Sequence, residues 1–126
     1  FVTEYHGAAG FRVGRRADGV VLFVFGDFHQ DTIRTAVAWN AAYLDRLETR
    51  ESHLLDLRPA GAEFPVHAFQ GAMKAMNHPS ARHVRLAILV HHTAVAGFIE
   101  TITRVTAGAQ ARLFTDEAEA NAWLKT

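Results

Sequence analysis

Three predicted strands each end in polar side chains of types that could bind a ligand. The strands are the apolar runs over residues 20–25, 53–57 and 85–90. The polar residues at or just after their carboxyl ends are Asp27, His29, Asp56, Arg58, His91 and His92. Because ligands of open parallel sheets usually sit beyond these ends, this set is the predicted ligand site. Neutral imidazoles and carboxylates are ordinary ligands of zinc or iron, and imidazole can also relay protons near neutral pH.

Ordinary loop chemistry explains the same residues without a ligand. Strand ends are loop positions, where polar residues are expected. His91 and His92 are adjacent, so along an extended chain their side chains point to opposite faces. The sequence contains no His-x-x-x-His or His-Glu-x-x-His spacing of a helical zinc site. We therefore predict solvated or capping histidines with no metal and no cofactor, and a metal-dependent enzyme built on the histidines and aspartates stays open as an alternative.

Searches for a nucleophile or a phosphate loop give nothing. The chain has no cysteine, which excludes thiolate catalysis and disulfides. It has no Gly-x-Ser-x-Gly motif for an activated serine. The glycines at Gly7 and Gly10 precede the predicted first strand instead of joining a strand to a helix, as a phosphate loop requires. We expect no catalytic residues and a protein that is not an enzyme.

Composition and charge bound the class of protein. A chain of 126 residues with 49% apolar and 21% charged residues predicts one globular domain over residues 1–126. Its 13 basic and 13 acidic side chains cancel, which argues against nucleic-acid binding and against a polybasic membrane surface. No apolar run approaches the roughly 18 residues of a membrane span. The lack of cysteine fits a cytoplasmic protein, and the start at Phe1 instead of Met leaves the true N-terminus open.

Alternating strand and helix patterns predict the fold class. Residues 1–10 show no period and are predicted to be a loose lead-in. Asp18-Gly19 between two apolar runs predicts an antiparallel β-hairpin. Further strands then alternate with helices, the first predicted over residues 32–50. The predicted helix starts are Asp31, Pro65, Thr93 and Asp116, with Gly108 ending the third helix. This order implies right-handed crossovers, so we predict an α/β domain with four helices and a mainly parallel four- to five-stranded sheet opened by the hairpin.

Two groups of residues bear on possible contacts with other chains. Trp39 and Tyr43 lie four residues apart beside the apolar stripe of the first helix, where they either pack in the core or anchor a partner. Both alternatives stay open. Arg12, Arg15 and Arg16 on the hairpin predict a solvated edge that discourages the addition of another strand.

The end of the chain resembles a known family. Its closing strand and helix carry the pattern Phe-x-x-x-x-x-Ala-x-x-Trp-Leu, here Phe114, Ala120, Trp123 and Leu124. This ending, with the hairpin, a glycine after the second strand and Leu55-Asp56-Leu57, is similar to the SpoIIAA-like domains, which are related to STAS and SEC14 domains. The resemblance implies a SpoIIAA-like βα superhelix that binds proteins in bacterial regulation, while some relatives bind small molecules or lipids.

One departure from that family concerns its regulatory switch. Anti-sigma-factor antagonists carry a phosphorylated serine in the turn after the middle strand. This chain has the run Arg58-Pro59-Ala60-Gly61-Ala62-Glu63 there, and its only serines are Ser52 and Ser80. We therefore expect no phosphorylation switch of the usual type.

Three functional hypotheses follow. The first is a non-catalytic regulatory or binding module, whose partner is a second copy in a homodimer or another protein. The second is a pocket for a small molecule or a lipid between sheet and helices. The third is the metal-dependent enzyme of histidine and aspartate residues.

Overall fold

The computed structural model describes residues 1–8, 10–106 and 110–126. Within them lies one six-stranded sheet, whose strand order in space follows the order along the chain. The strands are β1 (Thr3–Gly7), β2 (Phe11–Arg15), β3 (Val21–Phe25), β4 (Glu51–Asp56), β5 (Val84–Leu89) and β6 (Gln110–Phe114). The helices are α1 (Gln30–Asp45), α2 (Val66–Met76), α3 (Thr93–Val105) and α4 (Glu117–Leu124), with short 3-10 turns at Arg58–Ala60 and Pro79–His83. The predicted α/β fold class is confirmed.

The first strand corrects the prediction of a loose lead-in over residues 1–10. Residues 3–7 form β1, which pairs antiparallel with β2 and adds a strand to the predicted sheet. Gly14 on β2 permits this pairing, because a Cβ there would stand 2.5 Å from the carbonyl oxygen of Thr3. The predicted hairpin is confirmed between β2 and β3, where Gly19 has a φ of +86°. The predicted solvated edge is wrong, because β1 covers the outer side of β2.

The helices lie on two sides of the sheet. The pairs β3–β4, β4–β5 and β5–β6 are parallel. Right-handed crossovers that always step to the next strand place their helices on the same face, and α1, α2 and α3 share one core. The last helix, α4, packs on the opposite face. Successive side chains of β5 point to opposite faces of the sheet, so Ile88 packs against α1, α2 and α3 while Ala87 packs against α4.

Two of the predicted helix starts are one or more residues too late. The N-cap of α1 is His29 and not Asp31, because the Asp27 carboxylate accepts the backbone N–H of His29 at 2.9 Å and starts the turn earlier. The N-cap of α3 is His92 and not Thr93. Asp116 is confirmed, since its carboxylate accepts the backbone N–H groups at 118 and 119. The predicted stop at Gly108 lies outside the described residues. Helix α1 ends at Asp45, earlier than the predicted residue 50.

Helices α1 and α2 touch closely at a glycine. A Cβ on Gly71 of α2 would lie 2.6 Å from Cγ2 of Ile33 and 3.1 Å from Cγ2 of Val37, both on α1. The small residue therefore sets the separation of the two helices. No helix among the described residues has the length and the apolar character that crossing a membrane requires.

Gly71, which lies in this contact, and Gly97, which does not, should respond to alanine substitution with opposite changes in the free energy of unfolding. Gly71→Ala should lower the free energy of unfolding by about 1–2 kcal/mol, because the clash with α1 outweighs the gain in helix propensity. Gly97→Ala in α3 should raise it by about 0.5–1 kcal/mol, since a Cβ there meets nothing within 4 Å. Urea unfolding followed by circular dichroism measures both, and equal effects would contradict the close contact.

Candidate functional site

The six residues predicted as a ligand site form three separate local pairs. The first pair, Asp27 and His29, lies between β3 and α1. The Asp27 carboxylate accepts a backbone N–H from His29 and a hydrogen bond from the Thr32 side chain, and these contacts lower its pKa, the Thr32 bond most. The His29 ring is 83% exposed, with Nδ1 3.7 Å from the carboxylate. Asp27 therefore organises the start of α1.

The second pair, Asp56 and Arg58, lies at the end of β4. Asp56 accepts the backbone N–H of Arg58 at 3.0 Å and two guanidinium hydrogen bonds at 2.9 and 3.0 Å. The same guanidinium approaches Glu117 of α4 at 3.5 Å. Its charge is thus already neutralised by two carboxylates, and the pair joins the turn after β4 to the start of α4.

The third pair, His91 and His92, lies between β5 and α3. The two rings contact each other edge to face, with centroids 5.2 Å apart, and His92 is the N-cap of α3. Among the described residues, no hydrogen bond or ion pair joins this pair to either of the others. In the part of the chain that the structure describes, no three His, Asp or Glu side chains come close enough together to hold a metal ion.

The two aromatic residues predicted as partner contacts lie beneath β1. The Trp39 ring stacks on the rings of Tyr5 of β1 and Tyr43, at centroid distances of 6.0 and 5.1 Å, and the two tyrosine rings are 6.3 Å apart. It also meets Phe23 edge to face at 5.7 Å. Both rings are half-buried and pack against the main core. Partner contact through them stays a prediction.

A polar cluster that the sequence analysis did not predict lies next to these rings. The Arg15 guanidinium donates to the hydroxyls of Tyr5 and Tyr43, both at 2.8 Å, and to the carbonyl of Gly19. It also contacts the Glu51 carboxylate at 3.2 Å. The same carboxylate accepts the Tyr43 hydroxyl at 2.5 Å and lies 3.1 Å from Nε2 of His53. One half-buried carboxylate thus receives three donors.

The charge state of this cluster follows from its contacts. The hydrogen bond with His53 is the largest cause that lowers the pKa of Glu51, from 4.5 to about 2, and the bonds from Tyr43 and Arg15 act in the same direction. Burial is the main cause that raises the pKa of Tyr43. Glu51 is therefore ionised and Tyr43 is neutral at physiological pH. The sequence signal was Glu51-x-His53, because alternate residues of a strand share a face.

An apolar cavity of about 130 Å³ lies between the sheet and helices α1 and α2. Strands β3 to β5 supply its floor, and aromatic rings such as Phe23, Phe28 and Phe64 surround it. The polar side chains that reach its lining are Asn40 of α1 and His53 of β4. The cavity can hold a small apolar molecule, and His53 connects it to the Glu51 cluster.

Comparison with known proteins identifies the fold. No protein-family model and no curated protein matches the chain. A solved structure, that of an anti-sigma-factor antagonist (STAS) domain protein from Planctomyces limnophilus, matches 94% of this chain and 100% of its own. The TM-score is 0.56 and the sequence identity is 14%. The chain thus has a SpoIIAA-like STAS fold, which confirms the resemblance in fold.

The half-buried carboxylate of Glu51 makes the stability of the domain depend on pH. The contribution of Glu51 is fully present above its unfolded pKa of about 4.5 and is lost as the pH falls towards its folded pKa of about 2. At pH 7, Glu51→Gln should lower the free energy of unfolding by about 1–3 kcal/mol. The difference from the unsubstituted protein should shrink between pH 5 and pH 2.

The matched control for that measurement is Glu4→Gln. Glu4 pairs with Arg12 at 3.0 Å on the surface, where both side chains are about half exposed. Removing such a pair should cost about 0–1 kcal/mol. Denaturant unfolding at several pH values measures both variants. A gap between Glu51→Gln and the unsubstituted protein that stays constant from pH 7 to pH 2 would contradict the assigned charge.

Proposed function

We propose that the domain is a non-catalytic binding module of the STAS-like type, which acts by contacting another protein molecule. The observation that carries the proposal is an exposed apolar area on α2 and α3. Val66 is 73% exposed, Phe98 44% and Val105 61%. The Phe98 ring packs against the rings of Phe64 and Phe69, with centroids 5.9 and 6.1 Å apart. Phe64 precedes Val66 in the sequence and Phe69 follows it. We call this area the α2–α3 surface.

The composition of α3 supports a protein contact at this surface. Between Thr93 and Val105 the charged residues are Glu100 and Arg104, and the rest are apolar, small or hydroxyl-bearing. Depletion of charged residues is typical of the centre of a protein interface, as is an aromatic residue such as Phe98. Exposed apolar groups that lie together mark interaction sites, whereas scattered ones do not.

The proposed module works without a phosphorylated serine. The turn after β4 begins with the 3-10 segment Arg58–Ala60 and carries no hydroxyl group. Ser52 lies within β4, with its hydroxyl 3.4 Å from the carbonyl of Leu124, and Ser80 lies in the 3-10 turn before β5. Both serines are placed away from the turn, which supports regulation by contact alone.

The partner we propose is a second copy of this chain. The net charge of zero means that two copies do not repel each other, and the α2–α3 surface is nearly uncharged. A twofold contact needs a self-complementary surface, which an apolar area satisfies more easily than a patch of one charge. The contact between copies would pair α3 with α3 and bury Phe98 at its centre.

Removing the exposed side chains tests this contact. Val66→Ser combined with Phe98→Ser should weaken self-association at least tenfold, because aromatic and aliphatic anchors each contribute more than about 1 kcal/mol to an interface. Sedimentation velocity over a concentration series measures the association constant, with circular dichroism to check folding. The control Val2→Ser removes a valine that is 71% exposed elsewhere and should change nothing. The proposed homodimer would be overturned if the unsubstituted protein stays monomeric at all concentrations. It would also be overturned if Val2→Ser weakens self-association as much as the double variant does.

A second candidate function rests on the cavity. We propose that the space between the sheet and helices α1 and α2 binds a small apolar molecule. An apolar cavity of about 150 Å³ in a protein core is known to stay dry and to bind benzene, and the volume here is about 130 Å³. A lipid chain needs more space, so the size favours a small molecule over a lipid.

Filling the cavity tests whether the space exists in solution. Ala68 of α2 lines the cavity, so Ala68→Leu should place its side chain in empty space and leave the free energy of unfolding unchanged or raised. Ala87 on the opposite face is fully buried and does not line the cavity. Ala87→Leu should therefore cost about 1–3 kcal/mol by overpacking. Thermal unfolding compares the two, and equal losses would mean that the cavity is closed.

A further inference from the structure

The polar lining of the cavity sets which chemical groups a bound molecule can carry. His53 lies in the middle of an apolar stretch of sheet and is only 2% exposed, yet its ring lines the cavity. Phe23 and Tyr43 hold the ring from two sides, at centroid distances of 5.4 and 5.8 Å. A buried polar side chain fixed in this way by its neighbours offers one defined hydrogen-bonding atom to the space beside it.

The Glu51 carboxylate decides which ring nitrogen of His53 carries the proton. An ionised carboxylate only accepts hydrogen bonds. The nitrogen next to it, Nε2 at 3.1 Å, must therefore be the donor. In a neutral imidazole the other nitrogen, Nδ1, is then an acceptor. No hydrogen bond within the described part of the chain engages Nδ1, so it is available to a bound molecule.

We propose that the cavity binds a single-ring aromatic molecule with one hydroxyl donor, a phenol, whose hydroxyl donates to Nδ1 of His53. The proposal rests on the second candidate function and adds the class of ligand. The ligand ring would pack against Phe23, whose ring centroid lies 5.4 Å from that of His53, and beside Leu86, the register partner of His53 on β5. The volume of about 130 Å³ limits the ligand to one ring.

The same geometry rejects other small aromatic molecules. A benzoate would bring a carboxylate to an acceptor nitrogen, where no donor compensates for the loss of its hydration. Toluene fits the apolar walls but leaves Nδ1 without a partner. The cavity therefore distinguishes phenol from toluene by one hydrogen bond and from benzoate by an uncompensated charge.

Titration calorimetry of the purified chain with phenol and toluene tests the proposal. Phenol should bind with a dissociation constant roughly threefold to tenfold lower than that of toluene, the equivalent of one net hydrogen bond. In His53→Phe, toluene binding should remain and phenol should become the weaker ligand. Asn40→Leu removes the other polar side chain of the lining and should keep the preference for phenol.

The outcomes separate this inference from the function on which it rests. If neither phenol nor toluene binds, the cavity function fails and the inference fails with it. Equal binding of both, or a preference lost only in Asn40→Leu, overturns the role of His53 and leaves the cavity function standing. If His53→Phe does not fold, the nitrogen-15 chemical shift of His53 Nδ1 in the unsubstituted protein replaces that test. The shift should change when phenol is added and stay the same when toluene is added. Equal changes with the two molecules would overturn the proposal.

Discussion

The guanidinium of Arg15 is the interaction on which the arrangement of the first half of the domain depends. It contacts β1 through Tyr5, the hairpin turn through Gly19, α1 through Tyr43 and β4 through Glu51. Four segments of the chain meet at one planar group whose hydrogen bonds have fixed directions. The cluster also holds the Glu51 carboxylate beside His53, which orients the imidazole of the cavity wall. The outer strand and the interior cavity thus share one set of contacts.

The prediction of structure from sequence succeeded where the signal was local. Asp18-Gly19 predicted the hairpin because only the two flanking strands decide that turn, and Asp116 predicted α4 because a cap bonds its own helix. It failed for β1, since Thr3–Gly7 has no apolar alternation and is ordered by pairing with β2 and by the stacking of Tyr5 on Trp39. Those partners lie up to 34 residues away in the sequence. A single strand pattern cannot reveal them.

The candidate site shows the same division between local and distant contacts. The polar residues at strand ends were found from the sequence, but their hydrogen bonds go to near neighbours, so Asp27 and Asp56 stabilise turns. The cluster around Glu51 was missed because Arg15 lies 36 residues away and looked like a surface charge. His53 was missed because a histidine within an apolar strand gives no motif. The charge of Glu51 is set by hydrogen bonds from residues distant in the sequence, and the enclosure of His53 is a property of the whole fold.

The order of the strands has a consequence for how the chain folds. Each strand pairs with the strand that precedes it in the sequence. The two antiparallel pairings close short turns, whereas each parallel pairing must first enclose a helix, as when Val21 pairs with His53. Parallel pairings form more slowly than hairpins, because the entropy of closing the long connection is lost before the contacts between strands form. A chain emerging from the ribosome can still add its β-α units one after another. The hydrogen bond from Arg16 to Asn121 spans 105 residues and can form only when α4 docks, which makes it a marker of the last step.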